Sequence, residues 1–423
     1  MKAILRGEIA VPGDKSLSHR ALMLGALAQG RTVITNLSRC RDVRSTIACL
    51  RRLGVKIALT RGTAVVDGTG RYGLKRCRQP LNAGNSATTL RLLAGILAGQ
   101  SFPSVLSGDA SLRRRPMERV AAPLRLMGAR VTTGPDGGAP VRIAGASLVP
   151  VRYSMPVASA QVKSAILLAA LYADGRTLVR EALASRNHTE NLLPLFGAEV
   201  AASGGWIAVR GGRELRPAAL AIPGDFSAAA PWIAAACILP GSRVRITNVM
   251  LNPTRTGLLR CLKRMGARIR VTKTGGGAEP YGIIEAGYSP LNGADVSPEE
   301  VPSLIDEIPL LMVAATQARG VTRIRGAEEL RHKESDRIDR MRELLTRMGA
   351  GVIGLRDGVI VRGRQSLRGA SVDAGKDHRI VIAAAVAGMI AQGPVRIKDA
   401  DCVAVSYPGF FRDQEALCSR QKK

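Results

Sequence analysis

Aromatic residues are scarce in this chain, 3% of its 423 residues, which leaves little side-chain surface on which bases could stack. Paired cysteines are missing as well. Cys40, Cys49, Cys77, Cys237, Cys261, Cys402 and Cys418 are scattered without any Cys-x-x-Cys spacing. An odd, unpatterned set in a long chain fits reduced thiols better than a disulfide framework, and it offers no zinc-type ligand spacing. No metal and no cofactor are expected. Long hydrophobic runs are also absent: the longest, Ile380 to Ala391, falls short of the roughly 20 apolar residues that a membrane span needs. The opening segment Met1-Lys2-Ala3-Ile4-Leu5-Arg6-Gly7-Glu8 has neither a long apolar core nor a cleavage signal, so a soluble, cytoplasmic protein with no membrane partner is expected. Acid, finally, is in deficit. Lysine and arginine number 62 against 33 acidic residues, a net charge of +29. Such an excess raises nucleic-acid binding, but the arginines are spread through every segment rather than gathered in a tail or stripe. A locally positive cleft for a small polyanion accounts for them equally well and is preferred; no nucleic-acid partner is expected.

What the chain does contain is repetition. Six similar stretches begin near Ile9, Leu81, Met155, Leu220, Leu304 and Val372, roughly 65–80 residues apart. Three share a small-residue turn with an acid: Pro12-Gly13-Asp14-Lys15-Ser16, Ser107-Gly108-Asp109-Ala110-Ser111 and Pro223-Gly224-Asp225-Phe226-Ser227. An apolar helical run follows most of them, as in Ala165-Ile166-Leu167-Leu168-Ala169-Ala170. Five copies then show a second, leucine-rich helix end closed by Gly54, Gly128, Gly197, Gly266 or Gly349. Short strand candidates alternate with these helices: Thr32–Asn36, Val65–Asp67, Val141–Ile143, Val244–Asn248, Thr322–Arg325 and Val395–Lys398. The class is therefore α/β. A single copy cannot bury its apolar helix, so the copies must stack, and six divide naturally as three plus three.

Nearly all the charged clusters sit at the start of a copy. Gly13-Asp14-Lys15-Ser16-Leu17-Ser18-His19-Arg20 opens the first helix, where the unsatisfied N–H groups and helix dipole favour an anion. A plain N-cap with solvated basic residues explains it as well. Gly84-Asn85-Ser86-Ala87-Thr88-Thr89 repeats the logic with small residues and hydroxyls but lacks the lysine of a nucleotide-binding loop. Arg113-Arg114-Arg115-Pro116 supplies a dense basic turn, and Ser159-Ala160-Gln161-Val162-Lys163-Ser164 with Ser185-Arg186-Asn187-His188 suits hydroxyls and a phosphate. Asp306 and Glu307 precede an apolar helix; they could be dipole partners or, partly buried, a general base. Lys333 and Arg337 lie four apart in Arg331-His332-Lys333-Glu334-Ser335-Asp336-Arg337, as on a salt-bridged surface helix, and Lys376-Asp377-His378-Arg379 opens another helix. All four histidines, His19, His188, His332 and His378, fall in these polar clusters.

In this order, and over essentially the whole chain, these segments resemble the 5-enolpyruvylshikimate-3-phosphate synthase family, with wording similar to its class II bacterial type. Lys15-Ser16-Leu17-Ser18-His19-Arg20, Arg115-Pro116, Leu330 to Arg337 and Asp377-His378-Arg379 are the most specific matches. The resemblance implies a two-lobed enolpyruvyl transferase fold of six βαβαββ repeats, with residues 14–225 as the first lobe and 226–423 plus 1–13 as the second. It implies transfer of the enolpyruvyl group of phosphoenolpyruvate to the 5-hydroxyl of shikimate 3-phosphate with release of phosphate. By the same resemblance Lys15, Asn85, Ala87, Arg115, Gln161, Arg337 and Arg379 would meet phosphoenolpyruvate. Shikimate 3-phosphate would be held by Lys15, Ser16, Arg20, Ser159, Ala160, Gln161, Arg186, Asp306 and Lys333. Lys15, Asp306 and Glu334 would be catalytic, Asp306 taking the hydroxyl proton and Glu334 with Lys15 serving the methylene carbon. A monomer acting on small molecules is expected. Ala87 stands where the family's Gly-Asn-x-Gly-Thr pattern has its second glycine, which implies tolerance of the inhibitor glyphosate. The related UDP-N-acetylglucosamine enolpyruvyl transferases normally use a loop cysteine, and none lies in Arg113–Pro116.

Overall fold

Six of the polar starts head a helix that is buried on nearly all sides. The computed structural model describes residues 3–419. Its six core helices are Lys15–Leu27, Ala87–Ala98, Ala160–Ala170, Phe226–Ile238, Ile308–Gln317 and His378–Ile390. They are rich in alanine and leucine all round, as a fully enclosed helix must be, and nearly every residue in them is shielded from solvent. Five of their first turns are closed by a side-chain cap, all but that of Ile308–Gln317, which begins with proline in its first turn, as orphan N–H groups favour. Asp14 Oδ1 accepts from Leu17 N at 2.7 Å, Ser86 Oγ from Thr89 N at 3.1 Å, and Asp377 Oδ1 from Arg379 N at 2.9 Å. The second helices differ in kind. Arg41–Arg52 buries only the stripe Val43, Thr46, Ile47 and Leu50 with Asp42 and Cys49 beside it, the spacing of an amphipathic surface helix. The five glycines that close such ends all have positive φ, the left-handed stop that favours glycine.

The chain divides into two compact units, Gly13–Ile222 on one side and Met1–Pro12 with Pro223–Lys423 on the other. In Gly13–Ile222 three four-stranded sheets share one order: a parallel pair, then two antiparallel neighbours. Leu81–Asn82, Pro103–Ser107, Val141–Ala144 and Arg130–Thr132 make one of them. Here Ala87–Ala98 lies against Ala160–Ala170 so closely that a Cβ on Gly95 would meet Ala165 O at 2.1 Å. In the other unit the core helices Phe226–Ile238, Ile308–Gln317 and His378–Ile390 pack on one another. Its first sheet sets Ile4–Ala10 parallel to Arg243–Met250, with Cys418–Ser419 antiparallel on the outer edge. The strand that precedes helix Lys15–Leu27 thus serves the second unit, and Ala219–Ala221 takes its place beside Gln29–Thr35 in the first. The sixth sheet has two strands, Ser371–Asp373 and Arg396–Lys398.

All six strand candidates from the sequence overlap strands. One start is displaced. The fifth copy begins at the strand Asp295–Val296 rather than near Leu304. Pro298 and Pro302 end that strand and shape the short turn Val301–Ser303 ahead of the helix, because proline cannot continue a ladder. No disulfide joins the seven cysteines. Among the described residues no helix is long and apolar enough to cross a membrane, and no group of three or more His, Cys, Asp or Glu side chains could hold a metal.

Candidate active site

In Gly13–Ile222 the helix heads gather the sequence candidates into linked sets. Lys15, the first residue of its helix, places Nζ 2.9 Å from Asp42 Oδ2. Arg20 is buried one turn on. It donates to Ser16 O at 2.9 Å, Thr189 Oγ1 at 2.7 Å and Ser164 Oγ at 2.7 Å, all uncharged acceptors. Ser164 lies on the helix that Ser159 caps and Ala160 opens, so the predicted shikimate 3-phosphate residues Ser16, Arg20, Ser159 and Ala160 are brought to neighbouring helix ends. Arg115 donates to Asn85 Oδ1 at 2.8 Å, and Asn85 donates to Asp109 Oδ2 at 2.8 Å. Gln161 accepts from Arg91 at 2.7 Å and donates to Thr88 Oγ1 at 2.9 Å, while Arg91 also holds Pro116 O. Asn85, Ala87, Arg115 and Gln161 are therefore fixed about one helix start. Arg186 follows Ser185, whose backbone N–H donates to Glu181.

A buried hydroxyl chain runs beneath. His19 Nδ1 lies 2.6 Å from Thr46 Oγ1, Thr46 lies 2.7 Å from Thr89 Oγ1, and Thr89 reaches the capping Ser86 at 2.8 Å. Burial, then the charges of Lys15 and Arg20, push the His19 pKa well below its ordinary 6.5. Below about pH 6.5 the unfolded chain takes up this proton while the folded one resists it, so stability falls as acidity rises, by up to about 1.4 kcal/mol per pH unit. The urea midpoint is expected to drop between pH 7 and pH 5, and His19→Gln is expected to flatten that slope. An unchanged slope in the variant would assign the acid sensitivity to other groups.

The other unit centres on Arg337, whose side chain is 2% exposed. Its guanidinium meets Asp377 Oδ2 at 2.9 Å, Asp306 Oδ1 at 3.2 Å and Glu334 Oε2 at 2.5 Å. Burial opposes its charge, but Asp377, Glu334 and Asp306 together outweigh that and raise its pKa. Arg379 lies 3.9 Å from Asp306 and 3.8 Å from Glu307, and Glu307 accepts from the Ser227 hydroxyl, which Arg255 also holds. Lys333 has its pKa lowered, chiefly by desolvation, with Glu329 and Asp306 pulling the other way.

The geometry corrects the helix-face reading of this cluster. Asp336 caps a helix that begins at Arg337, while Lys333 ends the short turn Glu328–His332. The two cations are therefore not partners on one solvated face. Of the four histidines, His19, His188 and His378 are buried and His332 is exposed; nothing in the structure explains His332. Sequence reasoning missed Asp42, Arg91 and the hold of Asp377 on Arg337. It also missed that Lys163, 1% exposed, is bound by Glu181 at 2.6 Å and Glu190 at 2.7 Å. An acid on the buried stripe of an amphipathic helix was the available signal for Asp42.

Cationic side chains interleaved with carboxylates at helix starts suit phosphorylated acids whose reaction moves protons. A family model described as EPSP synthase (3-phosphoshikimate 1-carboxyvinyltransferase) matches residues 1–413. The chain belongs to this family. The 3-phosphoshikimate 1-carboxyvinyltransferase of Shouchella clausii is 47% identical over 98% of this chain and 96% of its own length. That of Geobacillus kaustophilus is 49% identical over 98% of each. The EPSP synthase structure from Acinetobacter baumannii matches with a TM-score of 0.87 at 41% identity, covering 99% of this chain and 97% of that one. The two-lobed EPSP synthase fold implied by the sequence is thus the fold of this chain.

Proposed function

We propose that the chain transfers the enolpyruvyl group of phosphoenolpyruvate to the 5-hydroxyl of shikimate 3-phosphate, releasing phosphate. The observation that carries this reading is the buried Arg337 held by Asp306, Glu334 and Asp377. The two substrates bring together about five to six negative charges, so cations must be fixed in advance, and carboxylates must stand near them to move protons. Lys15, Asn85, Arg115, Gln161, Arg337 and Arg379 hold phosphoenolpyruvate; Ser16, Arg20, Ser159, Ala160, Arg186 and Lys333, with Gln161 and Lys15, hold shikimate 3-phosphate. Protonation of the methylene carbon, served by Glu334 with Lys15, makes C2 electrophilic. The 5-hydroxyl oxygen attacks C2 as Asp306 takes its proton. The tetrahedral adduct then gives up a proton from its methyl group and expels phosphate, which re-forms the methylene. Purified protein is expected to release phosphate from phosphoenolpyruvate only when shikimate 3-phosphate is present. Release with UDP-N-acetylglucosamine instead would move the acceptor, and silence with both would sink enolpyruvyl transfer altogether.

The same reading includes glyphosate tolerance. Ala87 is the first residue of its helix and 6% exposed, between the capping Ser86 and Thr88, which holds Gln161. A methyl group at this packed start crowds a ligand longer than phosphoenolpyruvate more than the substrate itself. Ala87→Gly is expected to lower the glyphosate concentration for half inhibition by at least about tenfold, the scale of one misplaced methyl group. Strong inhibition of the native enzyme, unaltered by the substitution, would remove the idea.

A further inference from the structure

The two units treat the far ends of their core helices differently. In Gly13–Ile222 the residues two places beyond each core helix are Gln29, Gln100 and Tyr172, of which Gln100 and Tyr172 are buried and fill this end. Gln100 donates to Tyr172 Oη at 2.9 Å and to Arg71 O at 2.9 Å, while buried Arg71 donates to Leu171 O and Gly212 O. The corresponding residues in the other unit are Pro240, Arg319 and Gln392. There the helix ends Ile238, Gln317 and Ile390 line a cavity of about 330 Å³, a volume within the range of small-molecule sites. The fold does not require this void, because its sister unit fills the equivalent place with its own side chains.

The lining has a consistent chemistry. Ile238, Leu239, Pro240, Leu291 and Ile390 give it apolar side chains, Tyr288, Ser289 and Gln317 add polar groups, Arg319 and Arg364 are its charged residues, and no acid takes part. Both arginines are exposed, and among the described residues neither has an acidic partner. Both stand on backbone that is tied down. Arg319 N donates to Leu291 O at 2.7 Å and its carbonyl accepts from Gly293 N at 2.6 Å. Arg364 has φ +55°, a conformation that costs a non-glycine residue and persists only where neighbours enforce it. They do: Gly363 N donates to Gly320 O, Gln365 N to Thr316 O, and Gln317 Nε2 to Gln365 O. Two guanidiniums without acidic partners, carried on fixed backbone beside apolar side chains, can recognise a carboxylate that carries an apolar body.

We infer that this cavity is a second ligand site, taking a small organic carboxylate with an apolar ring-sized body, separate from the residues assigned to the reaction. The probe is 3-phenylpropionate, with 3-phenylpropan-1-ol lacking the charge and propionate lacking the ring, titrated by calorimetry. Saturable binding of 3-phenylpropionate is expected, with the alcohol and propionate at least tenfold weaker. The double variant Arg319→Ala, Arg364→Ala and the cavity-filling Ile390→Trp should each weaken it at least tenfold while leaving kcat and both KM values unchanged. Absence of saturation, equal binding of the alcohol, or undiminished binding by the double variant would each overturn the inference. Because the readout is binding to exposed positions outside the reaction machinery, its failure would leave the enolpyruvyl reading untouched.

Discussion

Glu334→Gln is expected to lower kcat by about a thousandfold, within the range for loss of a general acid or base, with KM for both substrates within a few fold. Glu334 Oε2 lies 2.5 Å from the Arg337 guanidinium, and its side chain is 13% exposed. Glutamine keeps the shape and can still accept from Arg337, so the anion-binding frame survives. What it cannot do is take or return a proton at the methylene carbon. Steady-state phosphate release measures the first effect, and uptake of deuterium from solvent into the methylene group measures the second. Turnover within tenfold of native would move the proton-transfer role to Asp306, the other carboxylate on the same guanidinium at 3.2 Å.

Asp377→Ala should act on the fold as much as on the reaction. The carboxylate is fully buried, and it accepts from Arg337, from Ser335 at 3.0 Å and from the Arg379 N–H at the helix start. Removing it leaves Arg337 buried with one of its three counter-charges gone. Breaking a buried ion pair from one side costs about 3–5 kcal/mol, which corresponds to a drop of roughly 10 °C in Tm for a unit of this size. Asp377→Asn retains an oxygen for the helix cap, so about half that loss is expected. A thermal scan that finds both variants within about 2 °C of native, the scale of sub-kcal/mol changes, would show that Asp306 and Glu334 alone satisfy Arg337.

The repeats, the helix heads and the family resemblance were legible because they are local. Asp14, Ser86 and Asp377 cap helices by bonding two or three residues ahead, and the apolar run after each cap marks the helix itself. Partners across the fold were not legible. Asp42 meets Lys15 across 27 residues, and Asp377 meets Arg337 across 40; no spacing rule reaches that far. The Lys333–Arg337 spacing could not tell a helix face from a turn, because four residues imply one helix face only inside a helix, and Asp336 starts that helix after Lys333. His19 sat in a polar motif yet proved buried, its Nδ1 meeting Thr46 on the next helix, 27 residues along the chain.

The exchange of strands bears on the order in which the polypeptide is assembled. Ile4–Ala10 is synthesised long before Arg243–Met250, and Leu5 N finally donates to Ser242 Oγ across 237 residues. Gly13–Ile222 is by contrast one unbroken length of chain. All its pairing partners are available as soon as Ala219–Ala221 has been made. On the ribosome the older strand must therefore wait, unpaired, while an entire unit forms after it. The half of the protein carrying Arg337 is then closed by some of the first and last described residues together.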